Sequence, residues 1–416
     1  MTRHEVYDAV VAGAGPAGAV AALVLARAGR RVAIVDDPPS PAAGAHKVGE
    51  SLPSAAAPLL RDLGLWPDGT AAPHLRSTGM YVSWGSPALY ERGPVQDPYG
   101  AGWQLDRLRF DAFLREAAHA AGAEPLRGQA VDAVDDGPGL RLLVRQEHGT
   151  RELRCAWAVD ATGRRAVLAR RRAVRRRQDR LVAVHVLLAR QDPSTGGQSD
   201  REARTVVEAV PGGWWYTTLT PVGRIVAHLT DPDIADPRLR TPDGFLRAAL
   251  HTRHIGARLI AGDLTGPPAP RWSAAHGLRL APYGGRGWIA AGDAALAFDP
   301  LSSQGILTAL HGGARAGLAA ALCLAGAPPR PVLASYTDFL DGIAAAYVGH
   351  HAEAYAAETR WSELPFWQRR GPDPGAADGH THGVRSVVPA WCCASCTGLP
   401  SARSPAPYRA GWASSS

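Results

Sequence analysis

Residues 8–18 read DAVVAGAGPAG. The run from Val6 to Ala12 has strand length and β-branched content. It breaks into Gly13-x-Gly15-x-x-Gly18 and continues as AVAALVLARAG, a small-residue helix that Gly29 stops. Strand, tight turn and helix in that order match a dinucleotide-binding fingerprint. Gly13 permits the turn, Gly15 lets backbone N–H groups approach a pyrophosphate, and Gly18 lets the helix lie close on the strand. Pro16 and Ala17 open that helix, whose N-terminal partial positive charge faces the phosphates. A second apolar strand, Arg31 to Val35, ends in Asp36, a carboxylate placed to accept ribose hydroxyls. A glycine triplet alone is often an ordinary loop; the strands, helix and acid around it make the case for a site.

Composition bounds the rest. The chain has 416 residues, of which 46% are hydrophobic and 20% charged, enough for two domains with substantial cores. The first strand begins at about Val6, which leaves no room for a signal peptide before it. The most apolar later stretch, Gly305 to Ala327, contains His311, Arg315 and several glycines, so a core helix is expected there and not a membrane span. Five cysteines, three of them crowded near the end, give no disulfide framework, and a reducing cytoplasm is the expected location.

The formal charge is +7, and Lys47 is the only lysine among the 45 basic residues. That bias fits GC-rich coding. Nine arginines fall between Arg164 and Arg180. The plain reading is a solvated helix face; the alternative is a dock for an acidic partner such as a carrier protein or peptide leader. No nucleic-acid module or interleaved aromatic pattern accompanies the run, so nucleic acid is not expected.

Between Leu181 and Leu280, short runs such as LVAVHVLLA, TVVEAV, WWYTTLT and RIVAHLT alternate with Gly/Pro turns. They predict an antiparallel sheet inserted between two parts of the nucleotide-binding domain. Trp214 and Tyr216 share one strand face there, Trp215 and Thr217 the other. His185 and His228 fall on neighbouring strands, and a histidine in such a sheet is more often core than catalytic base. Helical segments follow at roughly Gly305 to Leu324 and Pro331 to Glu363. From Gln368 onward the chain is rich in Gly, Pro, Ser and Arg without apolar periodicity, as in a disordered tail. Cys393 and Cys396 with His380 and His382 do not form a recognised zinc module, and no metal is expected.

Five further stretches carry a family resemblance. The turn Lys47-x-Gly49-Glu50-Ser51 resembles the segment that straps across the flavin in FAD-dependent halogenases and related monooxygenases. Gln104 to Asp111, with Arg107 before Phe110-Asp111, resembles the arginine-bearing helix start of flavin monooxygenases. Asp160-Ala161-Thr162-Gly163 resembles their strand-end DATG signature. Gly287 to Ala295 resembles the second FAD motif, whose aspartate, here Asp293 after Gly292, holds the ribitol. Asp299-Pro300-Leu301-Ser302-Ser303-Gln304-Gly305-Ile306 resembles the glycine-rich helix start beside the pyrimidine end of the isoalloxazine. The resemblance runs from Val6 to Trp367. It implies FAD as cofactor, a Rossmann-like α/β domain carrying an inserted antiparallel substrate sheet and C-terminal helices, and divisions near residues 178, 280, 330 and 367.

Departures from the family pattern refine the expectation. Hydroxylases that reduce their own FAD carry an Asp-Gly pair where this chain has Asp160-Ala161, which implies a separate flavin reductase or other electron donor. Tryptophan halogenases carry Trp-x-Trp-x-Ile-Pro and a catalytic lysine; here stand Trp214-Trp215-Tyr216-Thr217-Thr218-Leu219, and Thr78 to Trp84 without lysine. The chain most resembles flavoproteins that mature tryptophylquinone cofactors, which share the KxGES turn, GWWY and DPLSSQGI. The implied function is an FAD-dependent monooxygenase acting through a flavin C4a-hydroperoxide on an electron-rich aromatic, either a small molecule or a residue borne on a peptide, protein or carrier. A halogenase with an atypical site and a non-catalytic flavin-binding maturation partner remain alternatives. Lys47, His185, Trp214 and Tyr216 are the candidate catalytic residues.

Overall fold

The computed structural model describes residues 5–37, 46–65, 74–93, 99–189, 202–261 and 268–371. The tail residues His380, His382, Cys393 and Cys396 lie outside these residues. The first strand, Glu5–Ala12, lies in the middle of an eight-stranded sheet. Parallel neighbours Val32–Asp36 and Gly149–Asp160 flank it, Trp288–Ala290 extends the sheet beyond Gly149–Asp160, and Glu124–Arg127 extends the other side. A hairpin of Gln129–Asp136 and Gly139–Gln146 runs antiparallel onto Gly149–Asp160. Buried on both faces, Ala9 to Ala12 and Val32 to Val35 read as continuous apolar runs, as central parallel strands do.

The helix Pro16–Arg27 follows the first strand and packs on the helix Gly305–Leu324. Small residues make that contact close. A Cβ on Gly313 would sit 2.3 Å from the carbonyl of Ala17, and one on Gly317 would sit 2.7 Å from that of Ala21. Gly305–Leu324 is long and apolar enough to cross a membrane, yet 67% of its apolar window is buried inside the protein. Its apolarity is explained by burial against Pro16–Arg27.

The sheet between Leu181 and Leu280 forms, with two departures from the expected plan. Its seven strands run Arg271–Ala274, Val182–Leu188, Gly223–Thr230, Gly213–Thr220, Thr205–Val210, Met80–Ser83 and Tyr90–Arg92. The last two come from the first part of the chain, and Met80–Ser83 pairs parallel with Thr205–Val210. The sheet is thus mixed. The short run at 80–92 carries no alternating pattern of its own and becomes strand through tertiary pairing.

The arginine run is not a helix face. It forms two single turns, Gly163–Arg165 and Ala169–Arg171, and an exposed edge strand, Val174–Arg177, paired only with Leu278–Ala281. Arg171 and Arg172 pair with Asp132 and Asp135, while Arg175 and Arg176 lie exposed on the edge strand, where charge discourages further pairing. The second long helix is Pro329–Ala356, shorter than the sequence pattern implied. At the other end, the packed chain runs past Gln368: Arg369 and Arg370 form ion pairs with Asp231 and Asp233.

Candidate active site

The glycine turn divides its tasks between packing and access. Gly13 has φ +95°, and a Cβ there would lie 2.4 Å from the carbonyl oxygen of Ala161; a Cβ on Gly18 would lie 1.9 Å from that of Gly13. Gly15 is different, because nothing lies within 4 Å of its Cβ position. Gly15, Pro16 and Ala17 line a cavity of about 350 Å³. Its wall also includes Ala161, Gly163, Arg164 and Asp293, and Pro300, Ser303, Gly305 and Ile306. Ala183, Thr205, Val207, Trp214, Tyr216 and Leu229 contribute to it from the seven-stranded sheet. The N-termini of Pro16–Arg27 and Gly305–Leu324 both open onto this space, so two helix ends set partial positive charge along it.

Each wall is held by a local device. Asp106 caps the helix Arg107–Ala120 by accepting from the N–H groups of Leu108 and Arg109. Arg107 then donates to the carbonyls of Gly49 (2.5 Å) and Val48 (3.2 Å) and to Asp111. The turn at 47–51 is thereby pinned, and Val48, Gly49, Glu50 and Ser51 line the cavity. Lys47 points elsewhere: its Nζ lies 2.8 Å from Oδ2 of the buried Asp111 and it does not line the cavity.

Asp160 also stays out of the cavity. Its Oδ1 accepts from the Thr162 N–H and hydroxyl, and its Oδ2 from the N–H groups of Leu168 and Ala169. It shapes the turn that brings Ala161, Gly163 and Arg164 to the wall. Asp36 sits off the cavity beside the glycine turn, accepting from the Ala14 N–H; burial raises its carboxyl above the usual range against the pull of Lys47 and that bond. Gly292, at φ +59°, packs on Ala17, and Gln304 precedes the helix start without lining the cavity.

Asp299 anchors the loop 299–306 from behind. Fully buried, it accepts from the Leu301 N–H (2.9 Å), the Tyr355 hydroxyl (2.7 Å) and His351 Nε2 (3.3 Å). Burial opposes its ionisation, but the bonds from His351, Leu301 and Tyr355 hold the carboxyl below its ordinary range. The Tyr355 oxygen also accepts from Trp214 Nε1 at 3.1 Å. One phenol therefore ties this loop to the sheet. Nothing in the Ala-rich pattern of 329–356 marks Tyr355 for that role.

The histidines are core residues. His185 Nδ1 lies 3.1 Å from His46 Nε2 and its Nε2 lies 3.0 Å from the Ser273 hydroxyl. Burial, with His46 and Arg271 nearby, lowers its pKa to about 4. His228 pairs across from Val184, one residue out of step with His185, so the two rings occupy opposite sheet faces. It stacks on Trp215 at 4.5 Å, and burial lowers it to about 3.

Glu50 is 3% exposed, and burial raises its pKa to about 7 against the influence of Arg107 and of the Tyr216 hydroxyl, with which it interacts. Its Oε2 and the Oε1 of neighbouring Gln104 are buried without hydrogen-bond partners among the described residues. Gln104, Arg164 and Thr205 line the cavity but escaped the sequence reading as site residues. Gln104 and Thr205 appeared there only inside longer stretches, and Arg164 only as part of the basic run. Arg164 donates to the Phe298 carbonyl (3.0 Å) and pairs with Asp293 at 3.4 Å.

These residues fit FAD. The open Cβ position at Gly15, the two helix N-termini and the carboxylates at 36 and 293 supply what its pyrophosphate, isoalloxazine and sugar hydroxyls require. Residues 6–349 match the FAD binding domain family, and the chain belongs to it. Its cofactor is FAD, and it is an FAD-dependent oxidoreductase. It is 28% identical over 376 residues to LodB of Marinomonas mediterranea, a protein named as an FAD-dependent oxidoreductase, covering 88% of this chain and 97% of LodB. Its fold is shared with the myxobacterial chondrochloren halogenase CndH (TM-score 0.76, 22% identity, 89% and 87% of the two chains). It is shared also with the peptidyl tryptophan dihydroxylase QhpG (TM-score 0.70, 24% identity, 90% and 81%).

Proposed function

We propose that this protein is an FAD-dependent monooxygenase that hydroxylates an electron-rich aromatic, with a tryptophan borne on a peptide or protein as the favoured substrate. One observation carries the choice over halogenation: no ammonium lines the cavity, because the only lysine of the chain commits its Nζ to Asp111. Bound FAD supplies the redox chemistry with oxygen. Gly15 to Ala17 receive the pyrophosphate, Asp36 the adenosine ribose, and Asp293 the ribitol, with Arg164 orienting Asp293. Backbone donors from Ser303 to Ile306 stabilise negative charge on the flavin ring. Glu50 and Ser51 hold the turn over the cofactor. Trp214, Tyr216, Val207 and Leu229 present an apolar wall that orients the ring to be oxygenated and excludes water. Electrons come from a separate reductase, since Asp160 is followed by Ala161 and is saturated by its own turn. The likeness to a peptidyl tryptophan dihydroxylase supports the substrate class.

The test supplies FAD, NADH, a flavin reductase, oxygen and bromide with tryptophan-containing peptides. Peptide gaining oxygen mass supports the proposal; peptide gaining bromine overturns it in favour of halogenation. Flavin bound with no product from any peptide would favour a binding partner without turnover.

A further inference from the structure

Where the turn at 47–51 meets the seven-stranded sheet, the cavity wall changes character. The sheet contributes the apolar Val207, Trp214 and Leu229, while Glu50, Gln104 and Tyr216 bring polar atoms to the same cavity. Ser51 pairs with Gln104 across a short antiparallel bridge, and the Glu50 carbonyl accepts from the Leu105 N–H, so the two short strands hold Glu50 and Gln104 at the same cavity. Tyr216 reaches Glu50 from the sheet, its hydroxyl donating to the carboxylate. Arg107, whose charge acts on Glu50, is spent on Asp111 and the carbonyls of Val48 and Gly49. Gln104 donates an amide N–H to Thr205, which bonds Thr218, while its carbonyl oxygen has no partner among the described residues. Two buried acceptor atoms, Glu50 Oε2 and Gln104 Oε1, have no donor among the described residues. Burying such atoms unpaired is costly, and the cost is relieved by a ligand that brings a donor.

We propose that Glu50, Gln104 and Tyr216 form a recognition subsite for the ring N–H or O–H of the aromatic substrate, as in an indole or a phenol. The subsite rests on reading the cavity as an aromatic site. The donor is received between the Tyr216 oxygen and the free acceptors behind it, while the apolar wall of Trp214, Val207 and Leu229 takes the ring. Recognition of this kind rejects an analogue that lacks the donor, because the acceptors then stay unpaired.

The experiment measures binding of indole against 1-methylindole, and of phenol against anisole, to the FAD-loaded protein by calorimetry above pH 8, where Glu50 has released its proton and both its oxygens accept. Indole and phenol should bind about tenfold more tightly than their methylated partners. Tyr216→Phe and Gln104→Leu should each bring both ratios near unity, with an unchanged far-ultraviolet circular dichroism spectrum reporting the intact fold. Equal affinities in the wild type, failure of all four probes to bind, or ratios that survive both substitutions would overturn the subsite. Product analysis keeps it separate from the function. Selective binding of indole with no oxygenated product from tryptophan peptides would leave the subsite standing and remove the oxygenase. Oxygenated peptide with no preference for indole would do the reverse.

Discussion

At the scale of single residues, two buried groups move stability with pH in opposite directions. Glu50 holds its proton to about pH 7 in the folded protein, whereas the unfolded chain releases it near 4.5. The native state binds more protons in that window, so stability is full below pH 4.5 and lost as pH rises through about 7, by roughly 3 kcal/mol. Glu50→Gln should abolish that loss in thermal melts of the flavin-free protein taken across the window. His228 behaves inversely. The folded ring stays neutral down to about pH 3 while the unfolded one protonates near 6.5, so its contribution is lost as pH falls between those values. Both ring nitrogens lack partners among the described residues, and the ring stacks on Trp215. His228→Phe should therefore keep the stack and flatten the acid limb of the same melts. Lys47, singled out in the sequence for being alone, proves to be an ion-pair partner of Asp111. Because Arg107 also binds Asp111, Lys47→Met should cost only about 1 kcal/mol in urea unfolding and leave turnover near the wild-type rate. A collapse of turnover with flavin still bound would return Lys47 to the mechanism.

At the scale of elements, what could be read in advance was whatever demanded a particular residue type. Gly13, Gly15 and Gly18 announced their turn because a Cβ at the first and last collides with backbone, and an open one at the middle would obstruct a ligand. The helix from Gly305 to Leu324 was legible from its small apolar residues and met its expected bounds. The helix Pro329–Ala356 was legible as a helix but not as part of the site. Its Tyr347, His351 and Tyr355 reach the loop at Asp299 only once the tertiary fold has brought the two together, and no local pattern encodes that approach. Tyr355→Phe removes one donor from a buried carboxylate and one acceptor from Trp214. It should lower unfolding free energy by about 2 kcal/mol and weaken flavin retention, measured by urea titration and by equilibrium dialysis. Unchanged values for both would mean that His351 and the Leu301 N–H suffice to hold Asp299.

At the scale of the whole molecule, the C-terminal end of the packed chain closes the aromatic cluster around Trp84, Trp214, Tyr355 and Trp367. Arg370 lies over the Phe366 ring and binds the buried Asp231, which Arg369 binds as well. Residues 368–371, expected in the tail, belong to this closure. A chain ending at Gly371 should keep its flavin and its melting temperature. One ending at Gln368 leaves Asp231 buried without either arginine and should lose roughly 3 kcal/mol or more. Calorimetry of the two truncations decides it; equal stability would show the arginine pairs to be dispensable.

The parallel pairing of Met80–Ser83 with Thr205–Val210 bears on modularity. A domain inserted as a cassette can be cut out or exchanged between relatives at its two junctions. Here the sheet borrows strands from far upstream, on the same stretch of chain that leads from the turn at 47–51 to Gln104. Excised alone, it would bare the edge of Thr205–Val210 and invite intermolecular pairing. Swapping substrate specificity between such proteins therefore means transplanting the 80–92 hairpin together with the later strands, and with it the geometry over the flavin. Cofactor and substrate halves have to diverge as a single unit.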